Sequence, residues 1–271
     1  MDDRRNGDSD FYFQRVRGVA MAEPFLEIKD LTVAYGENVI MHDVSFTVNA
    51  EDVFIIMGGS GCGKSTLLTV LTGLKRPVKG SENFAGKPFW GENATKADRD
   101  AAMRKAGILY QSGALWSSMT LAENIALPLE QYTDLTPAEI RDIVALKLDL
   151  VGLGGFQNYY PAEISGGMKK RAGLARALAL DPQIVFFDEP SAGLDPISSK
   201  NLDDLILQIK ENLHTTIVMV THELPSIFAI GTNSIYLDAQ TKTVIAHGDP
   251  NELLKNPPNE TIEHFLTRGK K

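Results

Sequence analysis

The 271-residue chain has a single cysteine, Cys62, so no internal disulfide can form. That thiol and five histidines leave no zinc framework. Long apolar runs are missing too. The longest unbroken one, Val53 to Met57, falls far short of the roughly 18–20 residues of a membrane-spanning helix. No apolar stretch of the secretory type opens the sequence, so the expectation is a cytosolic protein that works at a membrane only through a partner's spans. An excess of positive charge is also lacking. With 27 Lys and Arg against 35 Asp and Glu, the formal net charge is −8, which disfavours a duplex-coating protein and predicts no nucleic-acid partner. What remains is an ordinary globular composition, 43 % apolar and 23 % charged, able to build a sizeable core.

Residues 1–24 are mostly polar and charged, with an aromatic cluster at Phe11, Tyr12 and Phe13, and read as a flexible tail. Met21 is an alternative start. Val44, Phe46 and Val48 alternate with polar residues, as in a half-buried strand. Val53–Met57, Ile184–Phe187 and Ile217–Val220 are apolar throughout, as in strands buried on both faces. Leu67, Leu68, Leu71 and Leu74 share one helical face, and Leu202, Leu205, Ile206, Ile209 and Leu213 share another. Between about 95 and 180 the pattern is mainly helical. Buried strands alternating with helices predict an α/β sheet carrying a helical insertion. Residues 256–271 form a C-terminal tail in which Glu260–Leu266 can make a short amphipathic helix.

The chemistry begins at Gly58-Gly-Ser-Gly-Cys-Gly63-Lys64-Ser65, which fits G-x-x-x-x-G-K-[ST] between a buried strand and a helix. Glycines let the backbone curl with its N–H groups inward, and the helix adds its positive dipole end, so phosphate finds a nest. Lys64 should reach the β- and γ-phosphates and Ser65 should bind Mg²⁺. Cys62, near a helix N-terminus, should be a reactive, low-pKa thiol or else an inert small residue. A second apolar strand ends in Asp188-Glu189. Asp188 can hold Mg²⁺ through its water shell, and Glu189 can orient the attacking water. Ligands collect at the carboxyl ends of strands in such sheets, which directs both carboxylates to the phosphate site. Ser165-Gly166-Gly167-Met168 opens another helix and offers a second anion site. Two helix ends in one chain do not reach one nucleotide together; a head-to-tail pair of chains would bring them onto it.

These residues, in this order, resemble the ATP-binding-cassette (ABC) ATPases over about 25–255, with a helical subdomain at roughly 95–180. The resemblance implies a P-loop NTPase core of the ABC ATPase type with an antiparallel β subdomain and a helical subdomain insertion. It implies ATP and Mg²⁺ as cofactors and a homodimer of ATPase subunits. By the same resemblance, Glu189, His222, Lys64 and Gln111 serve catalysis, and Ser65, Gln111 and Asp188 surround the metal. Nucleotide contacts fall to Tyr35, stacked on adenine, to Gly58, Gly59, Ser60, Gly61, Cys62, Gly63, Lys64, Ser65 and Thr66, and to Ser165, Gly166, Gly167 and Asp195 across the dimer. Met168 departs from the family, which has glutamine there; a thioether donates no hydrogen bond. Taken singly, Tyr35 could be core, His222 structural, and Arg171 and Arg176 ordinary solvated helix charges.

A narrower resemblance is carried by Gln111–Trp116, Glu123–Leu129, Ser165–Met168, Asp195–Ile197 and Ala246–Gly248. They look like the ATPases of the Mla/MCE lipid transporters of Gram-negative envelopes, and Met168 fits that group. This implies phospholipid as cargo, a multispanning permease pair, an MCE-domain protein, room for a small STAS-domain partner, and a peripheral place on the cytoplasmic face of the inner membrane. Ala114, Leu115 and Trp116 would meet the permease. The alternatives are a cassette for another cargo or a non-transport ABC ATPase. Long coiled coils, a second cassette and zinc cysteines are all missing, which weighs against the latter.

Overall fold

In the computed structural model, residues 24–268 are described. The aromatic cluster at 11–13, the alternative start at Met21 and all but the last residue of the expected N-terminal tail lie outside them.

The fully apolar runs become the middle of a sheet. β3 (Val53–Gly58), β7 (Ile184–Asp188) and β8 (Thr216–Val220) are joined by β6 (Ala106–Leu109), β9 (Asn233–Leu237) and β10 (Val244–His247). Their order is β10-β9-β3-β8-β7-β6, parallel except for β10. A separate antiparallel sheet has the order β2-β1-β4-β5, from β1 (Leu26–Tyr35), β2 (Asn38–Val48), β4 (Lys79–Phe84) and β5 (Lys87–Trp90). Strand periodicity explains the absence of polar alternation. Val53, Ile55 and Met57 of β3 enter one core, on the side of the helices; Phe54 and Ile56 enter another, against the antiparallel sheet.

α1 (Lys64–Leu71) follows β3 and buries Leu67, Leu68 and Leu71. Leu74, expected on the same face, is 64 % exposed. Gly73, at φ +77°, turns the chain out of the helix before Leu74 can reach the core. The stretch 95–180 is mainly helical, as its pattern suggests, but it also holds one strand. α2 (Lys96–Met103) is helical, but β6 follows it and pairs in parallel with β7 as the sheet's last strand. Four residues are too short to show a period. The helices beyond it are α3 (Leu121–Tyr132), α4 (Pro137–Leu150) and α5 (Gly166–Ala177). Thr120 with Glu123 and Thr136 with Glu139 form reciprocal caps that fix the starts of α3 and α4.

The chain closes with α6 (Pro196–Leu213), α7 (Leu224–Ile230), α8 (Pro250–Lys255) and α9 (Glu260–Leu266). α9 packs on its own domain: Ile262 and Leu266 are buried, and Phe265 meets Tyr236 edge-on at 5.0 Å.

Candidate functional site

Three neighbouring strand ends build the site. At the end of β3, Gly58 takes φ +152°, and a Cβ there would lie 2.5 Å from both the Leu237 carbonyl oxygen and Cys62 Sγ. Only glycine lets the loop start so close to β9. The loop then runs into α1, whose N-cap, Gly63, makes no side-chain cap. The helix end is thereby left open to an anion. Lys64 Nζ donates to the carbonyls of Gly58 at 2.9 Å and Gly59 at 3.0 Å, an arched-back pose across the loop.

At the end of β7, Ser65 Oγ donates to Asp188 Oδ1 at 3.2 Å, so a hydroxyl and a carboxylate converge beside the loop. Glu189 follows at φ +48°, a strained conformation for a residue with a Cβ. Its backbone N–H donates to the Val220 carbonyl at 2.9 Å, which ties it to the end of β8. Two residues beyond Val220, His222 Nδ1 lies 2.8 Å from Glu189 Oε1. A carboxylate only accepts, so Nδ1 carries the proton of this bond. The other oxygen of Glu189, Oε2, is buried without a hydrogen-bond partner. It is thus an acceptor still uncommitted, on a residue that lines the phosphate cavity.

The loop residues Gly58, Gly59, Ser60, Gly61, Gly63, Lys64, Ser65 and Thr66 surround one cavity of about 830 Å³ with Gln111, Glu189 and His222. Ser165, Gly166, Gly167 and Asp195 line a different cavity, of about 630 Å³. Ser165 caps α5 by accepting from the Met168 N–H at 3.3 Å, so Met168 supplies a backbone group there despite its thioether. Asp195 caps α6, accepting from the Ile197 and Ser198 N–H groups at 3.0 Å. The Ser198 hydroxyl and these N–H groups hold its carboxyl below the usual aspartate range.

Two expectations change. Cys62 is buried, and burial pushes its thiol up, outweighing the pull of the Lys64 charge and of backbone N–H groups. A reactive, low-pKa thiol is therefore overturned: the helix end is near, but the sulfur points into protein against β9. Tyr35 is 55 % exposed, so the alternative of a core tyrosine is overturned, and its ring stands in the open beside the phosphate cavity rather than in its lining. The Lys75 ammonium sits 3.6 Å from its ring centroid, so an adenine on that face would have to displace Lys75.

Several residues escaped the sequence reading. His264, Phe265 and Arg268 bring the C-terminal helix to the rim of the phosphate cavity. Asn124 is fully buried; it accepts from the Trp116 N–H at 2.7 Å and donates to the carbonyls of Trp116, Met119 and Thr120. It thus fixes the segment after Gln111 and leaves Trp116 60 % exposed. Its signal was a polar residue among Leu121, Ile125 and Leu129 on one helix face. Arg171 and Arg176 are not ordinary solvated charges. Arg171 reaches the Val151 carbonyl at 3.2 Å, and Arg176 reaches the Ala114 carbonyl at 2.7 Å and the Gly113 carbonyl at 3.1 Å.

Comparison with known proteins now adds to this geometry. The family described as ABC transporter matches residues 41–192, more than half of the chain. The chain belongs to this ABC transporter family. The cassette is 42 % identical over 241 residues to the probable ribonucleotide transport ATP-binding protein mkl of Mycobacterium leprae, covering 89 % of this chain and 68 % of that one. It is 36 % identical over 244 residues to the intermembrane phospholipid transport system ATP-binding protein MlaF of Escherichia coli K12, covering 89 % and 88 %. Among solved structures, cbiO1 of Clostridium perfringens, part of the ABC transporter complex cbiONQ, matches with a TM-score of 0.78 at 25 % identity, over 86 % of this chain and 91 % of that one. The cassette MJ0796, a dimer in a post-hydrolysis state bound to ADP and Pi, matches with a TM-score of 0.74 at 28 % identity, over 83 % and 98 %. The fold is accordingly the P-loop core of the ABC type, and the chain is an ATP-hydrolysing cassette.

Proposed function

We propose that this chain energises phospholipid transport in a Gram-negative envelope as one of two identical ATPase subunits on the cytoplasmic face of the inner membrane. The observation that supports the pairing is the separation of the anion sites. The phosphate loop, Glu189 and His222 line one cavity, whereas Ser165, Gly166 and Gly167 line another. Two chains placed head to tail would close each phosphate loop with the other's α5 end.

In that arrangement ATP lies on the 58–66 loop, with the arched Lys64 ammonium turned from its two carbonyls to the β- and γ-phosphates. The residues present suit Mg²⁺. Ser65 and Asp188 already converge, Gln111 lines the same cavity, and Mg²⁺ prefers few protein oxygens with phosphates and waters completing its shell. Bound there, the ion would neutralise charge developing on the phosphates. Glu189 Oε2, which has no partner, accepts a hydrogen bond from the attacking water, and His222 holds Oε1. The partner's Ser165 hydroxyl and α5 backbone donors stabilise the γ-phosphate from the far side.

The cargo reading rests on similarity to the phospholipid-transport relatives. By it, the partners are a permease pair, an MCE-domain protein and, in addition, a STAS-domain protein. No helix among the described residues is long and apolar enough to cross a membrane, so the spans come from the permease. Exposed Trp116 belongs to the surface that meets it. A second reading, a cassette for another cargo, draws on the higher identity to relatives named for ribonucleotide transport. Purification of the tagged chain from its own membranes, with mass spectrometry of the co-purified proteins and lipids, separates the two. The lipid reading expects a multispanning protein, an MCE-domain protein and bound phospholipid; a permease without the MCE protein or lipid would contradict it.

A further inference from the structure

Helix α5, which opens at Ser165-Gly166-Gly167-Met168, hereafter its signature end, is anchored from within. Lys170, in its second turn, is 6 % exposed, yet among the described residues no carboxylate forms an ion pair with its ammonium. Nζ donates instead to the carbonyls of Pro190 at 2.6 Å and Ala192 at 2.5 Å. Those carbonyls alternate with the two that the loop uses for itself, since Glu189 accepts from the Ala192 N–H at 3.2 Å and Ser191 from the Leu194 N–H at 3.0 Å. One buried cation thus gathers the outward-facing half of the loop that begins at Glu189. Burial lowers the lysine's pKa, and the nearby Glu189 charge works the other way. Placing an ammonium there with no carboxylate in direct contact is unfavourable. An apolar residue would avoid that penalty and strand two carbonyls.

The helix's far end is held as firmly. Arg176 grips the Gly113 and Ala114 carbonyls just after Gln111, and a Cβ on Gly173 would lie 2.8 Å from the Gly113 carbonyl oxygen. A helix of 12 residues, about 18 Å long, therefore joins the segment after Gln111, the loop after Glu189 and the Ser165 end that faces the partner.

We propose that Lys170 is a positioning residue that ties the signature end of α5 to the loop carrying Glu189, so that ATP bound at a chain's own site sets the placement of the signature offered to its partner's ATP. This rests on the two-chain reading above. A helix tethered at both ends moves as a body. A shift of Glu189 on binding nucleotide thereby reaches Ser165 without passing through solvent-exposed contacts.

The test compares wild type, Lys170→Met and Lys170→Arg as full chains, with ATP hydrolysis followed against ATP concentration and a fluorescent ATP analogue titrated separately. For wild type, sigmoidal kinetics with a Hill coefficient approaching about 2 are expected. Lys170→Met should bring that coefficient to about 1 and cut kcat about tenfold or more, with analogue affinity changed by less than about twofold. Lys170→Arg, which keeps donors for both carbonyls, should recover the sigmoidal curve. Equal Hill coefficients and turnover in wild type and Lys170→Met would overturn the proposal, as would equal impairment of the Met and Arg variants. If Lys170→Met does not fold, Lys170→Ala, which has no side-chain donor for either carbonyl and leaves room for water beside them, takes its place, and a wild-type curve from it overturns the proposal. A wild-type chain that stays monomeric with ATP and hydrolyses hyperbolically would instead sink the two-chain reading.

Discussion

Glu82 offers a quantitative test of the fold that carries the site. It sits in β4 with no exposure, opposite Ile28 on one side and Trp90 on the other. Neither carboxylate oxygen has a hydrogen-bond partner. Burial pushes its pKa well above the ordinary glutamate value. The folded protein therefore binds a proton that the unfolded chain has already released above about pH 4.5. The stabilisation due to this raised pKa is complete below the unfolded value and declines as pH rises through the folded one. Within that window one proton's difference removes about 1.4 kcal/mol per pH unit. For a chain of this size that is about 3–6 °C of melting temperature per pH unit. Glu82→Leu removes the proton and the two orphaned oxygens while keeping an apolar side chain in place. Melting followed by circular dichroism from pH 5 upward should show the variant more stable than wild type at every pH. The gap should widen by that amount per unit until the folded-state pKa is passed. A constant or narrowing gap would refute the reasoning. Trp90 next to it donates to the Val70 carbonyl of α1 at 2.8 Å, so the strand supports the helix behind the phosphate loop.

Three further outcomes follow from the site. Glu189→Gln should lower turnover about a hundredfold or more while ATP still binds, read by phosphate release and equilibrium binding. Lys64→Ala should weaken ATP binding itself, measured by titration calorimetry. Cys62 should react with a water-soluble maleimide at least about tenfold more slowly in the folded chain than in denaturant, since its sulfur is buried and its pKa is raised. Rapid labelling of the native protein would contradict that placement.

Much of this was legible from residue spacing. The runs at 53–57, 184–187 and 217–220 had to be central strands, because only a doubly covered sheet accepts side chains that are apolar on both faces. The phosphate loop and Asp188-Glu189 fall at strand ends for the same topological reason. What stayed hidden depends on tertiary direction. Helix proximity suggested an activated Cys62 thiol, but the loop's curl turns the sulfur toward Leu237, where desolvation dominates. Leu74 fits the helical period and lies one turn past the helix's end. β6 was too short to show its alternation. Arg171 and Arg176 read as solvated charges in sequence, and Lys170 drew no reading, since nothing local reveals that distant carbonyls meet them.

The mass in solution of the Glu189→Gln chain, with and without ATP and Mg²⁺, tests most directly whether two copies share each nucleotide. The account predicts a 29.7 kDa species that doubles on adding ATP and stays single when Ser165→Arg is introduced as well, although that double variant still binds ATP. A Glu189→Gln chain saturated with ATP that remains single, or a Ser165→Arg version that doubles as readily, would contradict it.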